Sequence, residues 1–322
     1  MRDGIVSGDN RGVQRFHNQV TFMQGVNGIM NGGQTYYVDS SKTASGNGKE
    51  WDQAFITISE AVAASLAAGK HHDTILVKGT DNPDSDADPV NDYSESVTID
   101  AAQVGLRIIG MGNGPEGVKW TVGTAEGIIL TINAIDCVVE NIRFRPNGAA
   151  SGAAIFLSAN ADLTKNANGT QIRNCIFRST TETALAGIQT EGASDVIVEN
   201  NVFTSVATAV LQNTTPAHVT YRMIIRNNLV DDKCTNGFVI DGRSCLLDNN
   251  KFAGAGLTMI INTKASSGSG SYNIVKNHTF KVTAYETNCT GCDTDDWWFN
   301  YCDDTESSTV SAAYLTIGIP TA

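Results

Sequence analysis

Residues able to do chemistry gather at a few places in this 322-residue chain. The sharpest is an acidic run, Asp84-Ser-Asp86-Ala-Asp88-Pro-Val-Asn-Asp92-Tyr-Ser-Glu95, with side-chain oxygens at positions 1, 3, 5, 9 and 12 of a twelve-residue loop. An EF-hand uses that spacing, so Asp84, Asp86, Asp88, Asp92 and Glu95 are candidate ligands for a calcium ion. Pro89 stands where such a loop needs glycine, and no helix pattern flanks it, so a solvated acidic loop is the competing reading. A carboxylate pair comes next. Glu191, between Thr190 and Gly192, and Asp241, between Ile240 and Gly242, hold similar places two repeats apart. Two coils set their backbones roughly 9–10 Å apart, the separation of an inverting glycoside hydrolase, where one carboxylic acid protonates the leaving oxygen and the other carboxylate activates water. Acidic residues before glycine are also ordinary turn chemistry. For a lyase the available cations are Arg222, Arg226 and Arg243, which share no spacing with carboxylates that would mark a proton-abstraction site.

Two further groups lie near the C-terminus. Cys289-Thr-Gly-Cys292 and Cys302 offer three zinc ligands, with His278 as a fourth; a disulfide and unlinked thiols are equally open. Trp297, Trp298 and Tyr301, with Phe299 among them, form either a sugar-stacking platform or a plug or subunit contact for the end of the fold.

The elements that must position these groups are announced by a repeat. An apolar-x-Asn-x-x-apolar phrase occurs six times, on Asn141, Asn174, Asn200, Asn227, Asn249 and Asn277, with gaps of 33, 26, 27, 22 and 28 residues. The period is that of a solenoid with loops of variable length. Each phrase ends a short β-branched stretch, and a second strand pattern precedes it, such as Ala186-Gly-Ile-Gln189 before Asn200. Asparagine marks the bend because it tolerates the left-handed region, and stacked asparagines are expected to bond side chain to side chain as a ladder. The Phe or Val three residues on turns inward again. With one earlier coil at Val104–Gly114, the expected fold is all-β, a right-handed parallel β-helix of about seven coils.

Composition agrees. The chain is 41% hydrophobic and only 17% charged, with 31 glycines, which suits a turn-rich all-β core. A net charge of −12 argues against a nucleic-acid partner, and no apolar run reaches membrane-spanning length. Residues 1–34 lack a firm period and read as an arm that orders against a partner. Residues 35–70 hold a first strand and a helix over 51–68, with Trp51, Phe55, Ile58, Val62 and Leu66 on one face, placed to cap the open end of the solenoid. The β-helix proper is expected over 71–283, and 284–322 as a C-terminal cap or subunit contact. The seven cysteines are odd in number, and Cys137, Cys175, Cys234 and Cys245 read as small core residues. The first residues contain no apolar leader, so secretion is not expected.

Tyr36-Tyr-Val-Asp39, a Gly/Asn loop, Trp51-Asp-x-Ala-Phe55, a helix, and Asp73-Thr-Ile-Leu-Val-Lys-Gly79 follow one another, then Tyr93-Ser-Glu-Ser-Val-Thr-Ile99 and Leu106-Arg-Ile-Ile-Gly-Met-Gly112. This order resembles the start of pectate-lyase-like right-handed β-helix proteins, and the likeness runs through the asparagine phrases to about residue 282. It is nearest to the β-helix proteins of tailed bacteriophages. The resemblance implies a homotrimer on the virion, assembled in the host cytoplasm, whose arm binds another capsid or tail protein: a capsid decoration protein, spike or fibre. Because that superfamily holds lyases, hydrolases, epimerases and inert virion proteins, it leaves open a tailspike depolymerase acting on a host surface glycan through Glu191 and Asp241. A non-cleaving glycan binder through Trp297, Trp298 and Tyr301 is the third reading.

Overall fold

The computed structural model describes residues 33–69, 71–79, 92–112, 117–122, 127–146, 152–160, 164–179, 184–212, 220–231, 233–253, 257, 259–263, 272–282, 289–290, 295–298 and 300–304. Three parallel sheets run the length of the fold. Sheet 1 stacks ten strands in chain order: Thr35–Val38, Thr74–Lys78, Arg107–Met111, Val138–Glu140, Gln171–Arg173, Ile197–Glu199, Ile224–Arg226, Leu246–Asp248, Ile274–Lys276 and Asp296–Trp298. Sheet 2 has nine, of which Lys119–Thr121, Arg143–Arg145, Ile176–Arg178, Val202–Thr204, Leu229–Asp231 and Lys251–Ala253 are central. Sheet 3 has eight, including Leu130–Ile132, Ala153–Ser158, Ala186–Glu191, Thr208–Gln212 and Asn236–Val239. The chain visits the sheets in turn and every pairing between these described strands is parallel, which is a parallel β-helix. Counting the six asparagine phrases falls short of ten because the strands at Thr35–Val38, Thr74–Lys78, Arg107–Met111 and Asp296–Trp298 carry no such phrase.

Strand parity builds the core. In sheet 1 the central residues Ile75, Ile108, Val139, Ile172, Val198, Ile225, Leu247 and Val275 are fully buried. In sheet 2, Trp120, Phe144, Phe177 and Phe203 stack with ring centroids 5.5, 5.4 and 4.8 Å apart. Such a column adds ring–ring attraction to the area it buries.

All six phrase asparagines adopt left-handed backbone, with φ between 52° and 61°. Their N–H groups reach the next coil, as from Asn174 to the Glu199 carbonyl at 3.2 Å, so the hydrogen-bond ladder continues through the corner. A second left-handed column lies three residues before each buried mid-strand residue: His72, Gly105, Asp136, Gly169, Asp195, Arg222, Ser244 and Tyr272, with φ from 50° to 72°. Each described strand of sheet 1 from Thr74 to Lys276 therefore follows a left-handed corner, and the last six also lead into one.

The expected side-chain ladder forms at one step among the phrase asparagines, Asn249 Nδ2 donating to Asn227 Oδ1 at 2.8 Å, and a longer ladder runs one residue later. Left-handed geometry turns the first asparagine outward, and the residue after it faces the core, where an opened corner needs partners. Asn201 Oδ1 accepts from the Cys175 amide at 2.9 Å, Asn228 Oδ1 from the Asn201 amide at 2.9 Å, and Asn250 Oδ1 from the Asn228 amide at 2.9 Å. His278 Nδ1 then accepts from the Asn250 amide at 3.0 Å, and Asn300 Oδ1 from the His278 amide at 3.0 Å. The side-chain amides of Asn201, Asn228, Asn250 and Asn300 donate to the carbonyls of Ile172, Val198, Ile225 and Val275.

The helix also departs from expectation. It spans Ile58–Ala68, with Thr57 and Glu60 forming a capping box and Gly69 in the left-handed region as C-cap. Trp51–Gln53 is a separate 3₁₀ turn, and Phe55 bridges to Val38 as extended chain. Ile58, Ala61, Val62 and Ser65 form the buried face, whereas Leu66 is 44% and Trp51 38% exposed. The helix lies against the strands Thr35–Val38, Thr74–Lys78 and Val97–Ile99.

Candidate functional site

Sheet 3 carries the two candidate carboxylates on coils two apart. Thr190 pairs with Gln212, and Leu211 with Val239. The described pairing stops at Gln212 and Val239; Glu191 directly follows Thr190 and Asp241 lies two residues beyond Val239, on coils two apart, a step of about 9–10 Å. Both side chains are half-buried at the end of their strands. Asn213, between them in the sequence reading, lies outside the described residues.

The acidic loop is only partly in view. Asp84, Asp86 and Asp88 lie outside the described residues, and of Asp92 only the strand backbone is described. Glu95 is used elsewhere. Its Oε1 accepts from the Ile58 amide and its Oε2 from the Ser59 amide, each at 2.8 Å. A carboxylate across the first two amides of a helix satisfies orphan donors and meets the positive end of the dipole. The bidentate ligand that ends an EF-hand loop is here a helix clamp, and this corrects its reading as a calcium ligand. Among the described residues no group of three His, Cys, Asp or Glu is placed to hold a metal.

Trp297 is 3% exposed and pairs in register with Val275, at the inward centre of the last sheet 1 strand. Its ring belongs to the core, so it is not a surface for a sugar to stack on, and the platform reading is corrected for this residue. The side chains of Trp298 and Tyr301 lie outside the described residues. So do those of Cys289 and Cys302, and the whole of Cys292. His278, the fourth zinc candidate, is a rung of the buried ladder. Burial pushes its imidazole down to about 4, against the smaller upward pulls of the Asn250 backbone, Asp248 and the Leu247 backbone. Cys137, Cys175 and Cys245 are buried free thiols that burial pushes up to about 12, which makes them inert core residues.

Two of the three cations considered for a lyase are taken by the neighbouring coil. Arg222 pairs with Asp195 at 2.6 Å and Arg226 with Glu199 at 2.6 Å. Sheet 1 repeats this along its outer face. Glu140, Arg173, Glu199, Arg226, Asp248 and Lys276 stand on successive coils in direct register, alternating in sign. Arg173 meets Glu140 at 2.9 Å, and Lys276 meets Asp248 at 3.7 Å. Opposite charges on paired strands attract, where like charges would repel. The sequence reading missed this column, although the alternation is legible once each charged residue is counted back from its asparagine.

No family model matches the chain, and no curated protein matches it. Among solved structures it is similar to YbhC of Escherichia coli, at 10% identity and a TM-score of 0.52, covering 87% of this chain and 78% of that one. It is also similar to the pectin methylesterase of the rice weevil, at 14% identity and a TM-score of 0.45, covering 79% of this chain and 81% of that one. A pectin methylesterase from Aspergillus niger gives 15% identity and a TM-score of 0.45 over 91% of this chain and 93% of that one. At these identities the likeness is one of fold, the parallel β-helix.

Proposed function

We propose that this chain is a structural protein of a tailed-bacteriophage particle: a surface-displayed homotrimeric β-helix, either a capsid decoration protein or a spike or fibre, held to other virion proteins by residues 1–34. The observation that carries the structural reading is the fate of the polar groups. Buried asparagines bond coil to coil, outer charges of sheet 1 neutralise one another, Glu95 clamps a helix, and Trp297 fills the core. These residue types are committed to holding a rod in register rather than gathered around a cleft. The bacteriophage assignment rests on the resemblance over Tyr36–Gly112 and on an arm too poor in core to fold alone. The test is a reconstruction of the intact particle together with mass spectrometry of purified virions. Many symmetric copies with residues 1–34 threaded between capsid subunits support a decoration protein, and absence from the particle overturns the reading.

The position of Glu191 and Asp241 on coils two apart favours a second reading, a tailspike depolymerase cutting host surface polysaccharide by hydrolysis. Glu191→Gln and Asp241→Asn, made singly, should each abolish depolymerisation while leaving the fold intact. Unchanged cleavage in both, or none in the parent, removes it.

A further inference from the structure

Inside the solenoid one column changes character partway along. Ile99, Ile132 and Leu157 face one another in register on sheet 3, and the next two members are Thr190 and Gln212. Thr190 is fully buried, Gln212 nearly so, and Thr220, on the corner leading back to sheet 1, fully so. Four of their polar atoms, Thr190 Oγ1, Gln212 Oε1 and Nε2, and Thr220 Oγ1, have no hydrogen-bond partner among the described residues. Burying one such group without a partner costs about 1–3 kcal/mol, so four on three residues of adjoining coils call for a ligand.

The three residues are neighbours: Thr190 and Gln212 pair in register on adjacent coils, and Gln212 reaches the corner that holds Thr220. A side chain at Gly242 would meet Gln212 Oε1, the Thr220 carbonyl and Cys245 Sγ within 3.2 Å, so all three border the same point. The corner is lined by small residues, with buried Ala193 one coil before Thr220 and Gly242 one coil after. We infer that the solenoid holds an internal water site between Thr190, Gln212 and Thr220, filled by at least one ordered water. The donor set names the ligand. An amide and two hydroxyls offer donors and acceptors in balance and carry no charge, which suits water and neither a cation nor an anion. Cys245 beside them is a neutral thiol, since burial pushes it up to about 12. The nearby Asp295 has both oxygens engaged, by the Asn273 amide at 2.9 Å and the Thr263 hydroxyl at 2.5 Å. Thr190 and Gly242 are sequence neighbours of Glu191 and Asp241, so the water ties together the coils that carry that pair.

A high-resolution crystal structure of the full chain, with magnetic relaxation dispersion of water oxygen in solution, tests this. The expected result is a solvent peak at roughly 2.7–3.2 Å from the Gln212 amide and at least one of the two hydroxyls. A long-lived water signal should also diminish in Gln212→Leu. Direct hydrogen bonds from Gln212 to Thr190 and Thr220 with no solvent peak overturn the proposal. So does a long-lived signal unchanged in the variant. If Gln212→Leu does not fold, the milder Thr220→Val takes its place in the relaxation experiment, and the parent crystal structure decides by itself.

Discussion

Replacing His278 by asparagine should remove an acid-labile step from the stability of this rod. His278 is the one imidazole in a column otherwise built from Asn201, Asn228, Asn250 and Asn300. Its Nδ1 accepts the Asn250 amide proton, so the hydrogen bond assigns the ring proton to Nε2. A second proton on Nδ1 would point N–H at N–H inside a fully buried site. Burial accordingly holds the group down at about 4 in the folded chain, against about 6.5 when unfolded. Between those values the unfolded chain takes up a proton that the folded chain refuses, so stability is fully present above about 6.5 and is lost as pH falls toward 4.

The window is roughly 2.5 pH units wide, and at about 1.4 kcal/mol per unit the loss reaches about 3 kcal/mol. Carboxylates such as Asp39 and Glu60, which hydrogen bonds and, for Asp39, Lys78 hold below their ordinary range against the cost of burial, also lose stability in acid. They do so in parent and variant alike, so the difference between the two isolates the imidazole. The assay is urea unfolding of parent and His278→Asn from pH 8 down to 4. Their difference in unfolding free energy should be flat above about 7 and shift by about 3 kcal/mol in the variant's favour by about 4. Parallel profiles across the whole range would refute the reasoning, because they would mean that the folded ring takes its proton as freely as the unfolded one.

Three other outcomes follow from the same geometry. Asn228→Ala leaves the Asn201 amide and the Val198 carbonyl without their bonds and should cost roughly 2–4 kcal/mol in urea unfolding, more than Asn227→Ala, which changes an exposed corner; the reverse order would put the ladder on the wrong asparagine. Phe177→Ala opens the middle of the ring stack between Phe144 and Phe203 and should cost about 3–5 kcal/mol by thermal or urea unfolding. Arg226→Glu sets three acids in a row with Glu199 and Asp248 and should cost roughly 1 kcal/mol at low salt, mostly recovered near 1 M salt; a loss independent of salt would point to packing instead.

What was legible in the chain and what was not divide along a physical line. The asparagine phrases announced the coils because each coil makes the same demand at the same corner, and asparagine answers it at all six positions. The second corner makes an equally constant demand, yet His72, Asp136, Arg222 and Tyr272 answer it with no common side chain. There the conformation is held by backbone bonds between coils, such as Asp195 N–H to the Tyr221 carbonyl at 2.9 Å, so residue type is free to vary and carries no signal. The helix was drawn too long because Trp51 and Phe55 fit its apolar spacing, while Thr57 and Glu60, three apart, were the sounder start signal.

The candidate site follows the same rule. Glu191 and Asp241 could be paired from the sequence because they hold similar places in the repeat. The clamp of Glu95 on Ile58 joins residues 37 apart across no repeat, and the group of Thr190, Gln212 and Thr220 takes members from two corners. A solenoid writes its repeated needs into the sequence many times and its unique contacts once. Function in such a fold must be a departure from the repeat, so the groups to test first are those the period does not account for: the edge at Glu191 and Asp241, the water site behind it, and the imidazole that interrupts the asparagines.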